Sequence, residues 1–230
     1  MKVINFSKQI KLGTKKSHSA AENTAFVRSF LRGVVSEESY RTLISDLYFV
    51  YSAIEEEFRR LKDHFIVSKL YLVELERVSE LERDLRYYYG PQWRSLISPS
   101  ESAVQYVERI HSIADDEPYL LVAHHYTRYM GDLSGGQILK GIAKRSLPFT
   151  DYELKHGEGL KFYDFEKIDD VKAYKTKYRS ILDSLPIDQI QADLIIDEAN
   201  NAFKMNMNMF NELKGSWFKS LLNIIRGINK

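Results

Sequence analysis

The segment 130–136, MGDLSGG, gathers three glycines around one carboxylate, inside a stretch whose flanks, EPYLLVAHHYTRY and QILKGIAKRSL, have the composition of helix. An interior glycine costs a helix up to about 1 kcal/mol relative to alanine, so Gly131, Gly135 and Gly136 concentrate a penalty that something else must offset. Gly131 and Gly135 are four residues apart and share a helix face. A face without side chains lets the backbone approach another body closely and lets the helix bend. Tight helix–helix packing would use such a face, and so would a flat or bulky ligand. Asp132 adds a carboxylate able to organise water or protons there, and Arg128, one turn earlier, is placed to hold that carboxylate ionised.

The elements that must position these residues are helical nearly throughout. From Ser36, the run SEESYRTLISDLYFVYSAIEEEFRRLKDH sets Tyr40, Leu43, Ile44, Leu47, Tyr51, Ile54, Phe58 and Leu61 on one apolar stripe. Ser36 is its N-cap, and Glu37 and Glu38 in the first turn complement the helix dipole. Upstream, Gly33 stops the helical segment SAAENTAFVRSFLR. Similar patterns cover 76–89, 100–114, 117–146, 169–185 and 187–225, with Asp115, Asp116, Glu117 and Pro118 marking a helix start and Gly90-Pro91 and Pro186 marking breaks. The stretch 147–168 is the least periodic and reads as a loop with short turns. No alternating run of strand length competes, and neither a repeat nor a linker divides the chain. The expectation is one all-α domain over residues 1–230, with a less ordered tail after about 215 and an amphipathic end, WFKSLLNIIRGINK, packing on its own domain.

Bulk chemistry excludes several function classes. Lysine plus arginine numbers 33 against 32 acidic residues, a formal net charge of +1, which argues against nucleic acid held on a broad basic surface. There is no cysteine. Disulfides, thiolate-bound zinc, iron–sulfur clusters and a thiolate nucleophile are thereby excluded. The opening MKVINFSKQIKLG lacks the apolar stretch of a secretory signal, and no apolar run approaches the roughly 20 residues that span a bilayer. A soluble intracellular protein without a membrane anchor is expected.

The segment LLVAHHYTRYMGDLSGGQILKGIAKR closely resembles the signature of the heme oxygenases, enzymes that open heme to biliverdin. The resemblance extends to KKSHSAAENTAFVRSFLRG, LYFVYSAIEEE, DLRYYYGPQW and DEANNAFKMNMNMFNEL, and so covers nearly the whole chain. It is greatest to the branch of cyanobacteria and algal plastids that supplies phycobilin pigment synthesis. The fold it implies sandwiches heme b between a proximal helix and a kinked distal helix. By resemblance His18 is the axial iron ligand, and Glu22, four residues on, accepts a hydrogen bond from the other ring nitrogen. The resemblance assigns Lys11, Lys175 and Arg179 to the propionates, sets Tyr126 near the propionate edge, and lines the ring with Phe203 and Phe210. Without it, those cations would read as solvated charges and those aromatics as core. Met205, Met207 and Met209 read as gap-fillers.

The family's reaction consumes oxygen and electrons and yields biliverdin, carbon monoxide and ferrous iron, with heme as both substrate and cofactor. One histidine ligand leaves the opposite iron position free. The resemblance implies that Gly131 and Gly135 let backbone press close there, that Asp132 anchors a water chain delivering protons, and that Arg128 and Tyr51 are outer members of its network. It also implies ferredoxin as electron donor, a monomer, no flavin or iron–sulfur cluster in the chain, and either a plastid stroma or a cyanobacterial cytoplasm. One departure stands out: the residue after His124 is usually small in this family, and here it is His125, read as a surface imidazole on the far side of the helix or else as a donor that adds to, or disturbs, the distal network. His64, His111 and His156 read as exposed. A heme carrier or sensor would need His18 and the cations but not the Asp132–Arg128–Tyr51 set, which favours the enzyme. A cofactor-free helical interaction module would leave the glycine cluster unexplained.

Overall fold

The computed structural model describes residues 5–228, with side chains described as far as Leu213. The expected tail after about 215 and the amphipathic end concern side chains outside that range. Among the described residues eleven α-helices follow one another: α1 (Phe6–Gly13), α2 (Lys15–Glu22), α3 (Ala25–Leu31), α4 (Glu37–Arg60), α5 (Val78–Tyr89), α6 (Glu101–Asp116), α7 (Leu121–His125), α8 (Gln137–Ser146), α9 (Asp151–His156), α10 (Val171–Asp183) and α11 (Gln189–Ile228). There is no strand among the described residues. Each helix forms where an apolar stripe finds a partner. On α4, the expected residues from Tyr40 to Phe58 are buried, and the Ser36 hydroxyl caps the helix by accepting the Ser39 N–H at 3.1 Å.

Three boundaries differ from expectation. The N-terminal segment is cut at Thr14 and again at Asn23–Thr24, where the Thr24 hydroxyl caps α3 by accepting the Val27 N–H. Asp115 and Asp116 close α6 rather than open its successor, which begins with Pro118 in a short 3₁₀ turn. Within the supposed loop 147–168, Thr150 and Glu153 form a reciprocal capping box that nucleates α9, and Gly157 ends it at φ +65°.

The core is one continuous cluster. Helix α4 packs on α5 and α6, while α11 runs along α1, α2, α3, α4, α6 and α7. Between α7 and α11 lies a buried polar joint. His124 Nε2 is 2.9 Å from Glu198 Oε1, and Arg109 donates to both oxygens of the same carboxylate, at 3.1 and 2.6 Å. Because Glu198 only accepts, His124 Nε2 is the donor. Burial alone would raise the Glu198 pKa, but His124 and Arg109 outweigh it and lower the value from 4.5 to about 2.

A depressed carboxyl contributes stability that is complete above the ordinary value and lost as pH falls from about 4.5 to about 2. Glu198→Gln should therefore cost about 3 kcal/mol at neutral pH and flatten the acid limb of the stability curve, measured by urea unfolding as a function of pH.

Candidate functional site

Between α7 and α8 the chain keeps helical dihedrals but widens into two π turns, Tyr126–Met130 and Asp132–Gly136, hinged at Gly131 (φ −63°, ψ −48°). A π turn carries an extra residue and bends the helix, a feature frequent at functional sites. Here it is the kink the glycines foretold. A Cβ built on Gly131 or Gly135 meets no atom of the protein within 4 Å. One on Gly136 would sit 3.3 Å from Tyr163 Cδ1. Only Gly136 is thus used for packing; the bare face of the other two borders a cavity of about 650 Å³. That size suits a cofactor-sized ligand.

Asp132 lines this cavity with its back to a polar network. The Tyr51 hydroxyl donates to Asp132 Oδ2, Arg128 Nε donates to the Tyr51 oxygen at 3.1 Å, and Arg128 Nη1 donates to Asn206 Oδ1. Burial raises the Tyr51 pKa far above its ordinary value, so the phenol keeps its proton and must be the donor. Arg128 was expected to hold Asp132 ionised. Its Nη2 is 4.0 Å from Oδ1, and burial outweighs it, so the Asp132 pKa is raised. The carboxyl is therefore easier to protonate than a surface aspartate, and Oδ1 has no hydrogen-bond partner among the described residues.

The opposite wall comes from α1–α3. His18 is the only histidine lining the cavity among the described residues, with Nδ1 3.6 Å from Glu22 Oε2. The Phe203 ring meets His18 edge-on at 5.7 Å, and Phe210 stacks on Phe26 at 5.8 Å, both forming apolar wall. Lys11, Tyr126 and Arg179 also line the cavity. Two expected residues do not: Tyr51 lies behind Asp132, and Lys175 reaches the edge only through Ser134 Oγ at 3.5 Å.

Lys15 was missed, although it lies four residues after Lys11 and three before His18, and it too borders the cavity. Asn206 was also missed; a lone asparagine on a helix gives no signal until its partner is placed. His125 corrects the sequence reading outright. It is 3 % exposed, with Nδ1 2.8 Å from the Tyr178 hydroxyl, and burial lowers its pKa to about 3. His64 and His111 are half-buried rather than exposed. His64 Nδ1 accepts the N–H groups of Ile66 and Val67, and His111 Nδ1 pairs with Glu57 at 2.6 Å. His156 is exposed as expected.

One imidazole, a bare π-turned helix and the cations Lys11, Lys15 and Arg179 lining one cavity define a helical protein suited to a cofactor-sized anionic ligand. Comparison with known proteins gives that class a family. The heme oxygenase family model matches residues 4–212. Heme oxygenase 1 of Synechocystis sp. is 52% identical over 218 residues, covering 95% of this chain and 88% of the relative. The heme oxygenase of Porphyra purpurea is 50% identical over 223 residues, covering 97% and 92%. The crystal structure of heme oxygenase-1 from Synechocystis sp. PCC6803 in complex with heme superposes with a TM-score of 0.90 at 50% identity, covering 99% of this chain and all of that one. The chain belongs to the heme oxygenase family.

Because their added methyls would enter the cavity and not the protein, Gly131→Ala and Gly135→Ala should leave thermal stability unchanged or raised by up to about 1 kcal/mol while weakening turnover. Gly136→Ala, against Tyr163, should lower the melting temperature. Differential scanning fluorimetry beside a hemin titration separates the two.

Proposed function

We propose that this chain, working as a monomeric single domain, opens heme b to biliverdin, consuming oxygen and electrons and releasing carbon monoxide and ferrous iron. The observation that carries the reading is the pairing of two walls: a bare Gly131/Gly135 face with Asp132 beside it, across one cavity from His18. Helix–helix packing, the competing reason for those glycines, accounts for Gly136 alone.

The residues present fit heme. His18 would hold the iron through Nε2, with Glu22 accepting from Nδ1 and fixing the tautomer. Lys11, Lys15 and Arg179 would receive the propionates, joined by Lys175 once it leaves Ser134. Phe203, Phe210 and Tyr126 would flank the ring. When bound, heme supplies both the iron at which oxygen is reduced and the ring that is opened.

The chain's own part is steric and protonic. The bare backbone at Gly131 and Gly135 leaves room over the ring and excludes a side chain that could divert the chemistry. Asp132 Oδ1 orders water within that space, and its raised pKa suits a group that passes protons. Tyr51 holds the carboxyl in place through Oδ2, and Arg128, tied to Asn206, fixes Tyr51. None of these groups binds iron.

Ferredoxin is the electron donor in this reading, drawn by the cations around the cavity mouth. The product feeds phycobilin synthesis in a cyanobacterial cytoplasm or a plastid stroma, which agrees with relatives from Synechocystis and Porphyra. No helix among the described residues is long and apolar enough to cross a membrane.

Asp132→Ala should retain heme binding but lose biliverdin formation about a hundredfold or more, followed by visible absorbance in single turnover. An unimpaired yield would remove Asp132 from the mechanism. His18→Ala should instead weaken heme binding itself.

A further inference from the structure

His125 is a buried side chain that ties the distal helix, formed by α7, the two π turns and α8, to α10, which carries Lys175 and Arg179. Its Nδ1 lies 2.8 Å from the Tyr178 hydroxyl, and the two rings stack at 5.6 Å with an interplanar angle of 14°. On its other side the imidazole packs against Phe58 at 4.8 Å and Tyr129, one turn along the distal helix, at 4.4 Å. Tyr129 in turn meets Tyr51, which holds Asp132.

Helix α10 is otherwise fastened elsewhere. Asp183 accepts from the Ser7 N–H and hydroxyl on α1, and Tyr174 and Lys177 donate to Glu74. Only one other hydrogen bond among the described residues joins α10 to the distal helix, the exposed 3.5 Å contact from Lys175 to Ser134, and that contact is given up when Lys175 turns to a carboxylate. Of the two hydrogen bonds among the described residues that join α10 to the distal helix, His125–Tyr178 is therefore the buried one.

We infer that His125 is a positioning residue that selects which bridge carbon of the ring is opened. The inference rests on the heme-opening reading above. The four bridge carbons of heme differ in where they lie around the ring relative to the propionates and in the substituents that flank them. Cations on α1 and α10 set how the ring is turned in its plane, while the bare Gly131/Gly135 face decides where oxygen is directed. One bridge carbon is presented consistently only if α10 and the distal helix keep a fixed relation. A neutral imidazole suits this joint, because it bonds Tyr178 without bringing a charge into an apolar seam; burial keeps His125 neutral at ordinary pH.

The test is product analysis by chromatography of the biliverdin isomers, using full-length protein, hemin and ascorbate or reduced ferredoxin in air. Wild type should give one predominant isomer. His125→Leu and Tyr178→Phe should each reduce its excess over the others by about tenfold, equivalent to ~1.4 kcal/mol, the scale of a buried hydrogen bond. His125→Asn, which sets an amide atom where Nδ1 was, should restore the wild-type ratio. If His125→Leu fails to fold, Tyr178→Phe, which keeps the ring and its stacking, decides alone. Biliverdin formed in wild-type isomer ratio by every folded variant would overturn the inference, whatever the melting temperatures. A wild-type protein that binds hemin but forms no biliverdin would instead overturn the reading beneath it.

Discussion

The structure depends on keeping one stretch of helix backbone bare. A helix carrying Gly131 between two π turns and Gly135 within the second has given up propensity and regular hydrogen bonding, and nothing in the protein lies against the exposed face. Such a segment holds its shape only if anchored on both sides. Ahead of it, His124 is locked to Glu198, a carboxylate that Arg109 also holds. Behind it, Gln137 donates to the Tyr163 carbonyl at 2.8 Å, Lys140 pairs with Asp164, and Gly136 rests on the Tyr163 ring. The loop receiving those contacts is itself pinned, since Asp84 accepts the N–H groups of Lys161 and Phe162, both at 2.8 Å. Burial raises Asp84 to about 7 even against those two donors, a measure of how dry that support is.

The same constraint explains why the polar network sits behind the helix and not in front of it. A side chain projecting from position 131 or 135 would enter the cavity, so a polar side chain must reach it from the flank. Asp132 does so from between the glycines, and its placement requires Tyr51 from α4, Arg128 from its own helix and Asn206 from α11. Removing one partner from such a buried set leaves another polar group unsatisfied, which costs ~1–3 kcal/mol. The network is thus a brace for the helix. On the other wall the packing is looser: His18 and Glu22 are exposed and approach one another only to 3.6 Å.

Periodicity made most of the scaffold legible, because each long helix buries one stripe and exposes the rest. The breaks at Thr14 and Thr24 were not legible: both residues fit a helix interior as well as a cap, and packing against α11 decides between them. The Thr150–Glu153 capping box was legible in the spacing TDYE but was passed over beside so many glycines and aromatics. For the site, glycine spacing alone could not separate packing from an open face, whereas the space beside Gly131 and Gly135 and the Tyr163 ring beside Gly136 do. His125 was misplaced because its surroundings come from Tyr178, 53 residues away, which no local pattern reports. Lys15 was within reach from its helical offset to Lys11 and His18. The roles of Lys175 and Arg179 came from resemblance; as bare charges they carried no signal.

The central claim is that this cavity takes heme on His18 and opens it. The most direct measurement is the visible spectrum of the purified protein with one equivalent of hemin, followed in air after addition of reduced ferredoxin. The account predicts a histidine-ligated heme spectrum that bleaches while a biliverdin band grows. A heme spectrum that persists through reduction in air would contradict it.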